Sequence, residues 1–250
     1  MPAPISQFLR TYRKEFLFGS TAPDVQVVSG QPREVTHFFD LPIQPGDPPA
    51  WEVFIAAYPE LAMANTLPAA QSAFLAGYLC HLQADWVWVN DIFIPAFGPR
   101  SPWGTFRQRL YYHNVLRAYL DRLILPGLPA DIDICLGMVE PDGWLPFVKD
   151  QSLAEWRNLL AQQLHPGAAI QTVEVFSSRQ GISAPEYYAL LESDERMHSE
   201  VFEHLPLERV KSYRVQVLKD NLYLLADTLA FRLHPINLPT EGLVIKGVQP

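Results

Sequence analysis

The sequence predicts an all-α protein. From Thr105 to Leu125, apolar side chains recur at three- and four-residue steps along one side of a helix. No stretch alternates apolar and polar residues in the manner of a β-strand. Hydrophobic residues make up 48% of the 250 residues and charged residues 18%, a composition typical of a globular protein with one main core.

Prolines, glycines and helical periodicity place the elements along the chain. The expected helices cover residues 5–16, 48–61, 68–97, 105–125, 151–164, 168–180, 184–204 and 207–233. The segment FGSTAPDVQVVSGQP is expected to be a loop because Gly, Pro and Ser punctuate it, which places Asp24 and His37 in or beside irregular backbone. The tail from residue 234 is too rich in Pro and Gly to be helical.

One domain is expected from this pattern. Residues 1–125 would form a helical core that carries the candidate site, and residues 126–250 would add further helices to the same core. The apolar segment 68–97 is long enough to suggest a membrane span, but five polar residues interrupt it: His81, Gln83, Asp85, Asn90 and Asp91. We therefore expect a buried core helix and no transmembrane segment.

Charge argues against nucleic acid as a partner, and the cysteine content and the first residues bear on the cellular location. The formal net charge is −8, with Lys and Arg scattered singly, so the chain has no basic stripe for nucleic acid. Cys80 and Cys135 are too few for a disulfide framework. The first residues, MPAPISQFLRTYRKEF, lack the pattern of a signal peptide, so a cytoplasmic location is expected.

His81 and Asp85 are four positions apart within the apolar segment and therefore share one face of its helix, one turn after Gly77. A glycine inside a helix costs about 1 kcal/mol relative to alanine, so Gly77 indicates a bulky group or a closely packed backbone on that face. Imidazole and carboxylate are both zinc ligands. The pair is either half of a metal site or a hydrogen-bonded pair inside the core.

Two more residues of ligand type precede that helix, Asp24 in GSTAPD and His37 in THFF. Taken alone, Asp24 is also typical of a turn or cap residue, and His37 is also typical of an internally hydrogen-bonded histidine. In order, FLFGSTAPD, THFF and AFLAGYLCHLQADW resemble the motifs of the zinc-dependent phospholipase C family. The resemblance covers residues 16–98 and extends more loosely to about residue 125.

The resemblance implies a multi-helix bundle of the phospholipase C and P1 nuclease type, in which clustered zinc ions activate water to hydrolyse phosphodiesters. It places Asp24, His37, His81 and Asp85 at metal-ligand positions, with Asp85 of the type that bridges two ions. Asp24 could instead act as the general base on the water. The expected cofactor is zinc, one ion rather than three, with iron or manganese as alternatives.

Departures from the family pattern concern its other ions. An N-terminal histidine contributes to one of them in the family, but no His precedes His37 here, and Gln7 is the nearest polar substitute. For a further ion the candidates are Asp91 and His113, with Arg117 one turn after His113 and its charge opposed to a metal.

Two functional hypotheses follow. The first is a metal-dependent phosphoester hydrolase acting on a small-molecule or lipid substrate. The second is a family member with impaired catalysis that keeps a structural metal site, or none, and acts as a binding protein. The aromatic cluster Trp86, Trp88, Phe93 and Phe97 is expected to be mostly core, with part of it lining an apolar pocket beside the metal.

Overall fold

A computed structural model describes residues 3–62, 66–168 and 171–233, with side chains as far as residue 227. This part of the chain contains helices and connecting segments and no strand, which confirms the all-α prediction. The α-helices, in chain order, are α1 Ala3–Thr11, α2 Arg13–Gly19, α3 Gln26–Ser29, α4 Arg33–His37, α5 Ala50–Ala57, α6 Pro59–Ala62, α7 Ala69–Trp88, α8 Ile94–Phe97, α9 Phe106–Ile124, α10 Ile132–Gly137, α11 Asp150–Gln163, α12 Thr172–Gln180, α13 Ala184–Leu191, α14 Asp194–Met197 and α15 Leu207–Leu233.

Helix α7 is the central element of the fold. All ten residues from Gln71 to Cys80 are buried, since α2, α5 and α15 pack around it. A π-helical turn, Val89–Phe93, continues it into α8. The expectation of a buried core helix over residues 68–97 is confirmed, and no helix in the described part of the chain has the length and apolar character needed to cross a bilayer.

Two hydrophobic clusters form the main core. The first includes Phe18, Phe54 and Phe74 with residues from α10 and α11, and the second includes Ile92 and Leu116 with residues from α12, α13 and α15. In the central helical segment, Trp86 packs against the first cluster and Trp88 against the second, so the two clusters meet along this segment.

Helices α2 and α7 approach each other through two glycines. A Cβ on Gly77 would overlap the carbonyl oxygen of Phe16 and lie 2.7 Å from Ser20 N. A Cβ on Gly19 would overlap the carbonyl oxygen of Phe74. Of the two alternatives predicted at Gly77, a bulky group and a closely packed backbone, the structure shows the second, and the contact brings the C-terminal end of α2 against the middle of α7.

The segment after α2 differs from its prediction. Instead of a loop, residues 18–32 contain a 3-10 turn over Ala22–Val25 followed by α3, and α4 begins directly after them. Ala22 and Val25 are fully buried in the first cluster, and the Trp156 indole donates a hydrogen bond to Thr21 O at 2.9 Å. Packing against distant residues thus imposes helical turns where the local composition favours a loop.

Several predicted helices are divided in the structure. The first breaks at Tyr12 into α1 and α2. Tyr58, which precedes a proline, separates α5 from α6, as expected for a residue that proline excludes from the helical conformation. The range 184–204 is divided into α13, α14 and a π-helical turn over His198–Phe202. The predicted non-helical tail lies outside the described residues.

Candidate metal centre

Three helical elements converge on one cluster of ligand-type side chains. Asp24 comes from the 3-10 turn, His37 is the last residue of α4, and His81 lies in α7. One ligand atom from each residue lies within 4.8 Å of the other two. Of the four residues at the expected ligand positions, the structure brings these three into one group, and Asp85 lies beside it.

The ring of His81 is fixed by the close contact between α2 and α7. Its Nδ1 lies 2.9 Å from the carbonyl oxygen of Ser20, the residue that follows α2. A carbonyl can only accept, so Nδ1 carries the proton and Nε2 of the neutral ring bears a lone pair. Nε2 is buried and has no hydrogen-bond partner in the described structure. A buried acceptor without a partner fits a metal-ligand position, and a carbonyl on the other ring nitrogen is the usual support of such a ligand.

His37 has a similar orientation. It is 1% exposed, and its Nδ1 lies 3.3 Å from the carbonyl oxygen of Arg33, one turn earlier in α4. Its Nε2 lies 3.5 Å from Asp24 Oδ1 and 3.6 Å from Asp85 Oδ2. Burial lowers the pKa of His37, an effect that the hydrogen bond to Asp24 opposes and the Arg33 charge reinforces. The neutral imidazole required of a metal ligand is therefore favoured.

Asp24 supplies the anionic member of the cluster. Burial disfavours its ionised form, but the hydrogen bond with His37 and the nearby charges of His81, His37 and Arg117 outweigh this effect and hold the pKa of Asp24 well below its usual range. Two imidazoles and one carboxylate are a donor set that suits zinc.

Helix α4 is held in place by aromatic packing and one long-range hydrogen bond. Phe38 ends the helix in the left-handed conformation, with φ of 61°, and its ring contacts Phe54 and Phe147. The Tyr78 hydroxyl in α7 donates a hydrogen bond to Thr36 O. A left-handed phenylalanine is conformationally costly, so its position directly after His37 shows that tertiary contacts fix this helix end.

Asp85 shares the face of His81, as its spacing predicts, but it has a different partner. Its Oδ2 accepts a hydrogen bond from the Arg33 guanidinium. That guanidinium lies 4.6 Å from the centre of the Phe39 ring, a cation–π contact. Arg33 is not among the site residues that the sequence motifs predict. The one signal in the sequence is that Arg33 precedes His37 by four positions and so shares its helical face.

The two residues proposed for a second ion lie outside the cluster. Asp91 is exposed, and its backbone oxygen accepts a hydrogen bond from Arg209 at 3.0 Å. His113 is buried in α9, and its Nε2 accepts a hydrogen bond from the Trp88 indole at 2.9 Å. The two residues line different cavities. A second ion at Asp91 and His113 stays a prediction.

A cavity of about 420 Å³ lies beside the cluster. Asp24 and Asp85 contribute carboxylates to its wall, and Arg33 and Arg117 contribute guanidinium groups. Its apolar wall consists of Leu41, Trp88, Val89, Phe93, Leu110, Leu120 and Ile124. The expected aromatic lining is confirmed for Trp88 and Phe93, whereas Phe97 is 1% exposed and belongs to the core.

No protein-family model, curated protein or solved structure matches this chain. The interpretation of the site therefore depends on its geometry and on the motifs in the sequence.

Proposed function

We propose that the chain is a metal-dependent phosphoester hydrolase of the zinc-dependent phospholipase C type, with one zinc ion held by Asp24, His37 and His81. Two observations carry the proposal: Nε2 of His81 is buried without a partner, and one ligand atom from each of Asp24, His37 and His81 lies within 4.8 Å of the other two. The motifs that resemble the family contain the same three residues.

The number of ligands suits a catalytic site. Catalytic zinc usually has three protein ligands and one open position, whereas structural zinc has four protein ligands. When bound in such a site, zinc lowers the pKa of a coordinated water toward neutrality and polarises a phosphoryl oxygen.

The residues around the cluster suit a phosphoester substrate. Arg117 places positive charge on the cavity wall, where it can bind the anionic phosphoryl group, whereas the Arg33 guanidinium is paired with Asp85. The apolar wall can hold an uncharged substituent of the ester. Asp24 lines the same cavity, so its carboxylate can accept the proton of the attacking water if it is not a metal ligand.

A second candidate is a purely structural metal site. The burial of His37 and the pairing of Asp85 with Arg33 favour it, because both make the cluster a well-packed part of the core. This alternative predicts that the metal raises thermal stability and that the loaded protein hydrolyses no phosphoester.

Turnover of a chromogenic phosphodiester, bis(p-nitrophenyl) phosphate, by protein reconstituted with zinc tests the proposal. We expect hydrolysis by the wild type, loss of hydrolysis in His81→Ala, and retention in His198→Ala. His198 is exposed and lies outside the cluster, so its variant is a control for the loss of a histidine. Wild-type protein that carries zinc but is inert toward a panel of phosphodiesters and phosphomonoesters would reject the hydrolase and favour the structural site.

A further inference from the structure

We infer that Arg33 keeps Asp85 out of the metal coordination sphere and thereby preserves the open position of the site. The inference rests on the metal site proposed above and concerns how many protein ligands that site has. It assigns Arg33 the role of a positioning residue.

Asp85 is a potential fourth ligand beside the cluster. Its Oδ2 lies 3.6 Å from Nε2 of His37, about the same separation as that between this nitrogen and Asp24 Oδ1, 3.5 Å. Asp85 lies one turn after His81 on the same face of α7, at the edge of the group formed by Asp24, His37 and His81. Unlike Asp24, it is paired with a guanidinium.

Arg33 is well placed to hold this carboxylate. Its side chain pairs with Asp85 and stacks on Phe39, while its backbone oxygen lies 3.3 Å from His37 Nδ1. Arg33 therefore contacts two of the expected ligands: its backbone oxygen supports the His37 ring, and its guanidinium pairs with Asp85. A guanidinium cannot lose its proton near neutral pH, so loss of the Arg33 charge cannot release the carboxylate.

The consequence concerns the type of site. Three protein ligands leave a position for water or substrate, whereas a fourth would give the closed coordination of a structural site. If Asp85 joined the cluster, the metal would be bound more tightly but would lose its open position. Arg33 thus favours the open arrangement at the expense of metal affinity.

Zinc affinity of the full chain, measured by competition with a chromophoric chelator, tests the inference. We expect Arg33→Met to bind zinc about tenfold more tightly than the wild type, a change of the size that outer-sphere residues produce. The double variant Arg33→Met with Asp85→Asn should return close to wild-type affinity, because no carboxylate remains to be recruited. Methionine keeps an unbranched apolar stem against Phe39, so the fold should be retained.

Arg13→Met is the matched control, since Arg13 pairs with Asp131 away from the site. It should leave zinc affinity unchanged. Weaker or unchanged binding in Arg33→Met would overturn the inference, and so would equal tightening in the double variant, which would indicate a charge effect without ligation. Absence of zinc from the wild type and every variant would instead reject the metal site itself, whereas zinc bound only by Arg33→Met would support the role of Arg33.

Discussion

At the scale of single residues, the site depends on the position of one proton on each histidine. The Ser20 carbonyl lies 2.9 Å from Nδ1 of His81, so the neutral ring carries its lone pair on Nε2. This carbonyl is a backbone atom, which no side-chain substitution removes, and the His81 tautomer is therefore determined by the fold. His37 differs, because its Nε2 faces the carboxylates of Asp24 and Asp85 and must lose any proton it shares with them before it can bind a metal.

His113 should make stability depend on pH. Burial, reinforced by the Arg117 charge, lowers the pKa of His113 well below its ordinary 6.5. Below pH 6.5 the unfolded chain binds a proton that the folded chain does not, so the free energy of unfolding should fall by about 1.4 kcal/mol per pH unit until the folded pKa is reached.

Denaturant unfolding of the wild type and His113→Gln between pH 7 and pH 5 measures this contribution. Glutamine retains an acceptor for the Trp88 indole and does not titrate. The variant should lose less stability than the wild type as the pH falls. Equal losses in the two proteins would show that His113 is not held neutral.

Cys80 should be unreactive in the folded protein. It is 6% exposed, and burial raises the pKa of its thiol to about 12. In a Cys135→Ser background, an aromatic disulfide reagent at about pH 8 should label Cys80 only after the chain is unfolded, because the thiolate is the reactive form. Rapid labelling of the native variant would contradict the buried position of this residue.

At the scale of elements, the contact between α2 and α7 aligns the site. Gly19 and Gly77 allow the two backbones to meet, and this places Ser20 O against His81. The position of the His81 ring is thus tied to a helix–helix distance.

Gly77→Ala should destabilise the protein and disturb the site together. The added methyl would overlap Phe16 O, and overpacking of this kind typically costs about 1–3 kcal/mol. Gly137→Ala is the control, because its Cβ would lie 3.9 Å from Ala161 Cβ in ordinary contact. Thermal unfolding should show a clear loss in the first variant and little change in the second. Similar melting temperatures for both would contradict the close approach of α2 and α7.

The sequence predicts the long helices better than the short ones. Helices α9 and α15 match their predictions to within one or two residues, since their periodicity extends over several turns. The turns over residues 22–37 are missed because tertiary burial, rather than composition, forms them. The pairing of Arg33 with Asp85 is missed because it joins residues 52 positions apart, and no local pattern encodes such a contact.

At the scale of the whole molecule, the site lies beside a cavity whose lining residues come from segments next to both hydrophobic clusters. Asp24 and Arg33 approach the cavity from the N-terminal segments beside the first cluster, and His113 and Arg117 approach it from α9 beside the second. A ligand in this cavity would contact both halves of the core.

Metal binding should therefore raise the melting temperature of the whole chain. A ligand that binds only the folded state stabilises it by about 2.7 kcal/mol at one hundred times its dissociation constant. Differential scanning fluorimetry with added zinc should show an upward shift for the wild type and for His198→Ala. A comparable shift in a triple variant that replaces Asp24, His37 and His81 with alanine would locate zinc binding elsewhere.

Elemental analysis of protein purified without chelator or metal-affinity resin tests the central claim most directly, with the wild type compared with His81→Ala. We expect about one equivalent of a transition metal in the wild type and none in the variant, because the substitution removes one of the three ligands of the proposed site. No metal in either protein, even after incubation with zinc, would contradict the account and leave Asp24, His37 and His81 as a hydrogen-bonded group within the core.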